Sequence, residues 1–238
     1  MSWLEKRREE CYDGASWVPD GKARNWAIYL GAYLIRPIVK LLFRYRVKGL
    51  ENVPRGNGEG PYVFACNHVS YADPFVLWCV LRSYFGGSRF LARTTLFKPF
   101  VGGFIARVGA IPINPSSADR KALKRAAAAL KRGENLLIFP EGTRMNKPWK
   151  VYKPHGGVVL IAQMGKAKVV PVGISGTERI MPYGTVKIPR FHKVHVSFGA
   201  PIDVRDERFS AVPKKERSTA VATAVMDEVF ALRDTAAE

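Results

Sequence analysis

The sequence predicts an α/β class, in which one domain has a mixed sheet covered by helices and an N-terminal helical element precedes it. Two observations support this class. Short apolar runs alternate with segments of helical periodicity from residue 62 to residue 232. The composition is also globular, because apolar residues make up 47% and charged residues 24% of the 238 residues.

The first half of the predicted domain begins after a turn-rich segment, residues 56–61. Each predicted strand is a short apolar run, and each predicted helix has apolar residues three or four positions apart. Asp-Pro at 73–74 is typical of a helix start. In order, the elements are a strand at Tyr62–Cys66, a helix at Pro74–Tyr84, a strand at Phe90–Ala92, a helix at Pro99–Val108 and a strand at Ala110–Ile113.

The second half starts with an alanine-rich helix, which Ser117 or Asp119 opens and Gly133 stops. The last helix follows Pro213 and has Val221, Val225, Val229 and Leu232 on one face. Between them the sequence predicts a strand at Leu136–Phe139, a helix at Gly156–Met164 and strands at Val169–Gly173 and Val194–Phe198.

The charge is strongly basic, with 38 Lys and Arg against 20 Asp and Glu and a formal net charge of +18. Acidic residues are missing from three long stretches, Gly21–Leu50, Pro74–Ala118 and Gly142–Thr177. Such clustering predicts an anionic partner, either a membrane surface or nucleic acid. Three cysteines cannot form a disulfide framework, which is typical of a reducing compartment.

We expect no signal peptide in the N-terminal segment, because Met1–Glu10 is charged and no small-residue cleavage site follows an apolar core. The uninterrupted apolar run, Trp26–Ile35, is too short to span a membrane. From Arg36 onwards, basic residues recur every fourth position, at Arg36, Lys40, Arg44 and Lys48. On a helix this spacing forms a basic stripe, which is typical of a segment lying in the membrane interface. The alternative is an ordinary helix packed on the domain. We therefore expect residues 1–48 to be a membrane-interface segment and residues 49–238 to be the α/β domain.

A first candidate site follows the strand that ends at Cys66. His68 lies at the strand end, and Asp73 starts the next helix five residues later. A tight turn can return the Asp73 carboxylate to the His68 ring, so that the other ring nitrogen can take a proton from a hydroxyl. Two alternatives remain: Asp73 only caps its helix, or Cys66 and His68 form a nucleophile pair. His192 and His195 lack further ligands at a metal-binding spacing.

A second candidate site is Phe139-Pro140-Glu141-Gly142-Thr143-Arg144, directly after a buried strand. Arg144 can bind a phosphate through two parallel hydrogen bonds, and Thr143 can add a hydroxyl donor. Lysines at 147, 150 and 153 extend the basic surface. The alternative is a turn in which Arg144 pairs with Glu141.

Together the two sites resemble the glycerolipid acyltransferase family. The family is marked by Asn-His-x4-Asp and, some 70 residues later, Phe-Pro-Glu-Gly-Thr-Arg, and both motifs stand here intact at Asn67–Asp73 and Phe139–Arg144. Weaker family blocks are present at 109–114, 153–157 and 169–172. The resemblance covers about residues 45 to 200.

The resemblance implies that His68 is the general base and that Asp73 orients it. It also implies the substrate-binding residues, which are Asn67, Glu141, Gly142, Thr143, Arg144 and Lys153. The implied reaction moves a fatty acyl group from acyl-CoA or acyl carrier protein to a lysophospholipid hydroxyl, without a covalent acyl-enzyme, metal or organic cofactor. The implied acceptor is 1-acyl-sn-glycerol 3-phosphate, the product is phosphatidate, and the place is the cytoplasmic face of the cell membrane.

One position departs from the family pattern, because Pro115 follows Asn114 where the family usually has an arginine. Either a nearby cation (Arg107, Arg120 or Lys121) replaces it, or the polar group of the acceptor differs. Glycerol 3-phosphate or another lysophospholipid or glycolipid is therefore an alternative acceptor. An alternative of a different class is a non-catalytic basic module that binds membranes or nucleic acid.

Overall fold

The structure is a computed structural model that describes most of the chain between residues 33 and 235. The described residues are 33–34, 37–41, 43–55, 59–98, 102, 105–106, 108–114, 119–145, 154, 156–182 and 192–235.

Seven strands form one sheet, and the sheet is mixed, as the sequence predicts. In chain order they are β1 (Arg46–Lys48), β2 (Tyr62–Cys66), β3 (Arg89–Arg93), β4 (Ala110–Ile113), β5 (Leu136–Ile138), β6 (Lys168–Ser175) and β7 (His195–Phe198). Their order across the sheet is β1-β7-β6-β2-β5-β3-β4. The pair β6–β7 is antiparallel and the other five pairs are parallel. The end of β2 therefore lies between the ends of β6 and β5.

Helices cover both faces of this sheet. In chain order they are α1 (Asp73–Phe85), α2 (Arg120–Lys131), α3 (Gly157–Gly165), α4 (Thr177–Ile180) and α5 (Lys214–Thr235). One buried cluster lies between the sheet and α2, α3 and α5, and a second lies under α1 and the helical residues 37–41 and 43. Removing this apolar surface from water on both faces is the main force holding the layers together.

The predicted elements match the structure closely, since β2 and β4 have the predicted bounds and other ends differ by a few residues. On α5, Val221, Val225 and Val229 are fully buried, in agreement with the predicted apolar face, whereas Leu232 is half-buried. Of the helix predicted at 99–108, residues 102, 105 and 106 are described and are helical.

The N-terminal basic stripe is the part of the prediction that is wrong. Lys48 lies on β1, which pairs in parallel with β7, and Arg44 has a positive φ of 38° just before that strand. The helical residues described are 33–34, 37–41 and 43, and Lys40 is exposed on this stretch. The helix thus ends before the predicted stripe is complete, because the chain turns there to enter the sheet. Arg36 and most of the predicted apolar run at 26–35 lie outside the described residues.

The same helical stretch has both a buried and an exposed apolar side. Val39 and Phe43 are buried in the second cluster, whereas Tyr33, Leu34, Ile38 and Leu41 are each more than half exposed. No helix within the described part of the chain is long and apolar enough to cross a membrane.

Candidate active site

The turn between β2 and α1 holds His68 against Asp73, as the spacing predicts. His68 Nδ1 lies 2.9 Å from Asp73 Oδ2, and the Asp73 side chain is fully buried while that of His68 is 17% exposed. The same Oδ2 atom accepts the backbone N–H groups of Val69 and Ser70, each at 2.8 Å. Since Oδ2 is an acceptor for all three, Nδ1 is assigned as the ring donor and Nε2 is left to accept a proton.

Asp73 does not cap its own helix, so the capping alternative is wrong. The N-cap of α1 is Ala72, and it makes no side-chain capping bond. The Asp73 carboxylate instead turns back into the preceding loop and closes it around His68. Its position at the start of the helix still favours a negative charge, because the first backbone N–H groups of a helix carry positive potential.

Glu141 lies behind the His68 backbone rather than in an open substrate site. It is 5% exposed, and its Oε1 accepts the His68 N–H at 3.0 Å. Burial raises the pKa of Glu141 to about 8, although bonds from backbone N–H groups oppose that rise. In this structure the Glu141 carboxyl group supports the loop that carries His68, and its contact with the acceptor stays a prediction.

Asn67 also differs from expectation, because it is fully buried and bound to β6. Its Nδ2 donates to the Ile174 carbonyl at 2.9 Å, and its Oδ1 accepts the Ile174 N–H at 2.8 Å. Both ends of the amide are thus engaged by a neighbouring strand. Asn67 joins the His68 loop to β6, and its contact with the substrate stays a prediction.

Arg144 lies close to the aromatic ring of Tyr71. Its guanidinium carbon is 3.4 Å from the ring centroid, which is a close cation–π contact. Tyr71 is 42% exposed and belongs to the same loop as His68. The Arg144 cation is therefore held beside His68, and this arrangement does not support the alternative of a simple pair with Glu141.

The loop after β5 has the unusual backbone that its glycine predicts. Gly142 has a positive φ of 65°, and its carbonyl accepts a hydrogen bond from Arg93 Nη2 at 3.1 Å. Thr143 is exposed in the same turn. Lys153 and Pro115 lie outside the described residues, as does Arg107, whereas Arg120 and Lys121 are exposed at the start of α2.

The contacts of three further residues around this site were not predicted from the sequence. The Phe139 ring stacks on the His68 ring with centroids 4.2 Å apart, Tyr71 contacts Arg144, and Arg93 binds the Gly142 carbonyl. Arg93 is the last residue of β3, and the end of a strand in an open α/β sheet is where ligand-binding groups gather. That rule could have identified Arg93 as a candidate site residue from the sequence.

Cys66 is a buried core residue and not a nucleophile. It is fully buried, and burial together with the carboxyl groups of Asp73 and Glu141 raises the pKa of its thiol well above the usual range. Within the described ranges, no group of three or more His, Cys, Asp or Glu side chains could hold a metal ion.

The fold and this site define an enzyme that transfers acyl groups. Comparison with known proteins establishes this class. Residues 44–175, which are more than half of the chain, match the family model described as Acyltransferase. The chain therefore belongs to the acyltransferase family.

Several curated relatives are named 1-acyl-sn-glycerol-3-phosphate acyltransferase. The protein of that name from Bacillus subtilis is 28% identical over 204 residues, which are 85% of this chain and 95% of the relative. The one from Pseudomonas aeruginosa is 29% identical over 87% of this chain and 77% of its own. A chloroplastic one from Arabidopsis thaliana is 31% identical over 67% of this chain and 44% of its own.

A solved structure has the same fold. The crystal structure of the 1-acyl-sn-glycerophosphate (LPA) acyltransferase PlsC from Thermotoga maritima superposes with a TM-score of 0.62. The match covers 93% of this chain and 87% of the other, at 24% sequence identity. This likeness supports the mixed α/β architecture described above.

Proposed function

We propose that this enzyme transfers a fatty acyl group from an acyl thioester to 1-acyl-sn-glycerol 3-phosphate and so forms phosphatidate for phospholipid synthesis. The observation that carries the proposal is the 2.9 Å contact between His68 Nδ1 and Asp73 Oδ2 at a strand end, beside the Arg144 loop. The names of the relatives support the choice of acceptor.

The proposed chemistry uses His68 as a general base. Asp73 holds Nδ1–H, and Nε2 takes the proton of the acceptor hydroxyl as its oxygen attacks the thioester carbonyl carbon. A new C–O bond forms and the C–S bond breaks. The proton then passes from Nε2 to the leaving thiolate, so that His68 returns to its starting state. The Asp73 carboxylate stabilises the imidazolium that exists between these two transfers.

The acceptor phosphate is proposed to bind Arg144, with the Thr143 hydroxyl as a further donor. The guanidinium fork suits a phosphate because two parallel N–H groups can bind two of its oxygens. Arg93, bonded to Gly142 in the same loop, is a candidate for the second cation that the proline at position 115 does not supply. Lys153 keeps its proposed role as a further substrate-binding cation.

The acyl donor is proposed to be acyl-CoA or acyl carrier protein, and the reaction needs no further cofactor. We also propose that residues 1–48 place the catalytic part, residues 49–238, on the cytoplasmic face of the cell membrane. The exposed apolar side of the N-terminal helical stretch supports this placement, because Leu34, Ile38 and Leu41 together would otherwise meet water.

The experiment is an assay of the purified full chain with one labelled acyl-CoA and a panel of lysophospholipids and glycerol 3-phosphate. We expect the largest kcat/KM with 1-acylglycerol 3-phosphate, and a loss of about a thousandfold or more in His68→Ala. Glycerol 3-phosphate as the best acceptor would indicate the related reaction instead. Unchanged turnover in His68→Ala, with wild-type circular dichroism, would exclude the proposed base.

Acceptor binding is tested with Arg144→Ala, using Lys131→Ala on the exposed side of α2 as a charge-matched control. We expect Arg144→Ala to raise the acceptor KM at least tenfold, because a charge-assisted contact contributes about 1.5–3 kcal/mol. The donor KM should change little. An equal effect of both variants on the acceptor KM would exclude Arg144 as the phosphate ligand.

A further inference from the structure

A second basic site lies at the same edge of the sheet as His68. It is a cavity of about 490 Å³, a volume within the range of small-ligand pockets. It lies where β6 ends and where β1 and β7 begin. Its described lining residues are Arg44, Ser175, Gly176, Glu178, Arg179, His192, Lys193 and His195.

The charges around this cavity favour an anion. Arg44, Arg179 and Lys193 line it, and Glu178 is the one acidic residue among the described lining. The Glu178 carboxylate accepts the backbone N–H of Gly176 at 2.9 Å, so part of its hydrogen-bonding capacity is directed at its own loop. Cations that line the same cavity repel one another, and an anion with several oxygens would relieve that repulsion.

The two histidines lie within the same positive field. Arg179 Nη1 is 3.4 Å from His192 Nε2, and Arg46 of β1 is directly opposite His195 in the register of β1 and β7. Burial, together with the charges of Lys48, Arg46, Lys193 and His192, lowers the pKa of His195. Burial and the surrounding cations therefore both disfavour one more positive charge at His195, and an incoming anion would offset the effect of the cations.

The cavity is joined to the candidate active site by direct contacts. Asn67, next to His68, exchanges two hydrogen bonds with Ile174 on β6, directly before the cavity wall begins at Ser175. Ser70 Oγ donates to the Met181 carbonyl at 3.0 Å, just after α4. The segment that forms one wall of the cavity is thus fixed to the His68 loop at both of its ends.

The order of the strands places His68 between two basic regions. Arg144 follows β5 on one side of β2, and the cavity follows β6 on the other side. A direct transfer without a covalent intermediate requires the acceptor and the donor to be bound beside the base at the same time. If Arg144 binds the acceptor phosphate, the cavity on the other side of β2 is a basic site that can bind the phosphates of the other substrate.

We propose that this cavity binds the phosphate groups of the acyl donor, a thioester of the CoA type, while its acyl end reaches towards His68. The assignment rests on the proposed acyl-transfer function, and it adds a donor site on the β6 side of the base. The shared chemistry is a phosphate ester, which an anionic lipid headgroup also carries, so the experiment separates the two sources.

The test is the binding of free CoA to the full chain, measured by calorimetry without an acceptor. The variant Arg179→Ala/Lys193→Ala removes two exposed cations of the cavity, and Lys124→Ala/Lys131→Ala removes two exposed cations of α2 as the matched control. We expect the first variant to weaken CoA binding about tenfold or more and the control to weaken it less than threefold. Dephospho-CoA should bind wild type more weakly than CoA, and the cavity variant should reduce that preference.

Three results would overturn the donor site. The first is equal CoA affinity in the cavity variant and its control, and the second is no binding of CoA to wild type. The third is unchanged CoA affinity in the cavity variant together with a selective loss of sedimentation with phosphatidylglycerol vesicles, which would assign the cavity to a lipid headgroup. Failure of the proposed function is a separate outcome. If CoA binds through the cavity but no acyl group is transferred to 1-acylglycerol 3-phosphate, the donor site stands and the proposed acceptor is excluded.

Discussion

Replacement of Asp73 by asparagine separates the charge of the carboxylate from its shape. Oδ2 accepts the His68 ring N–H and two backbone N–H groups, those of Val69 and Ser70. The two backbone donors should hold the asparagine oxygen in the Oδ2 position, because an amide nitrogen there would face two N–H groups. The ring tautomer of His68 is then retained, and the negative charge beside the ring is lost.

The size of the effect follows from the contact distance. The ring nitrogen and the carboxylate oxygen are 2.9 Å apart. With the charge centres roughly 4 Å apart and an effective dielectric constant of about 20, their attraction is about 4 kcal/mol when the ring is protonated. Loss of that stabilisation from the transition state lowers kcat by about a thousandfold.

The assay is steady-state acyl transfer at saturating acyl-CoA and 1-acylglycerol 3-phosphate. Asp227→Asn on the exposed side of α5 is the matched control and should retain wild-type kcat. Melting temperatures of both variants report whether the loop still folds. A kcat for Asp73→Asn within tenfold of wild type, in a folded protein, would refute the reasoning that the carboxylate charge stabilises a protonated His68.

Variants at three further residues test the surroundings of this pair. Burial raises the pKa of Glu141 from an ordinary 4.5 to about 8. The stabilising contribution of its protonation is therefore complete below pH 4.5 and is lost as the pH rises through 8. The free energy of unfolding falls by at most about 5 kcal/mol over this range. Glu141→Gln should therefore lose less stability than wild type in urea unfolding between pH 5 and pH 9, and parallel curves would contradict this. Tyr71→Ala should raise the acceptor KM about threefold to tenfold with little change in kcat, because Arg144 loses the ring that holds it. Tyr71→Phe keeps the ring under Arg144 and should keep the wild-type KM. An equal acceptor KM in the two variants would exclude a role of the ring contact in acceptor binding. Asn67→Ala should lower the free energy of unfolding by about 2–4 kcal/mol, because the buried N–H and C=O of Ile174 lose their partners, and a loss below about 0.5 kcal/mol would contradict this role.

The strands β2 to β7 and the His68–Asp73 pair could be predicted from local sequence. Short apolar runs between turn residues give buried strands such as β2 and β4, whose bounds were predicted. The contact between His68 and Asp73 follows from a strand end and a helix start five residues apart, so it needs no knowledge of distant parts of the chain.

The roles of Asn67 and Glu141 could not be predicted in the same way. Asn67 binds Ile174, which is 107 residues away, and Glu141 binds the His68 backbone from 73 residues away. A polar side chain next to a motif looks like a substrate ligand until its long-range partner is known. The three residues of β1 were missed for a similar reason, because the run is too short for a pattern and its partner β7 is about 150 positions later.

The two buried acids at this site have a further consequence in a protein with a net charge of +18. Asp73 Oδ2 and Glu141 Oε1 are bound by backbone N–H groups and a histidine ring rather than by a mobile lysine or arginine. Dissolved salt screens exposed charges over about 8 Å at physiological ionic strength, but it reaches buried groups far less. Ionic strength should therefore affect substrate binding and the chemical step differently. Added salt weakens the electrostatic attraction between the basic surface and anionic substrates, while the interaction of the histidine with its carboxylate stays unchanged.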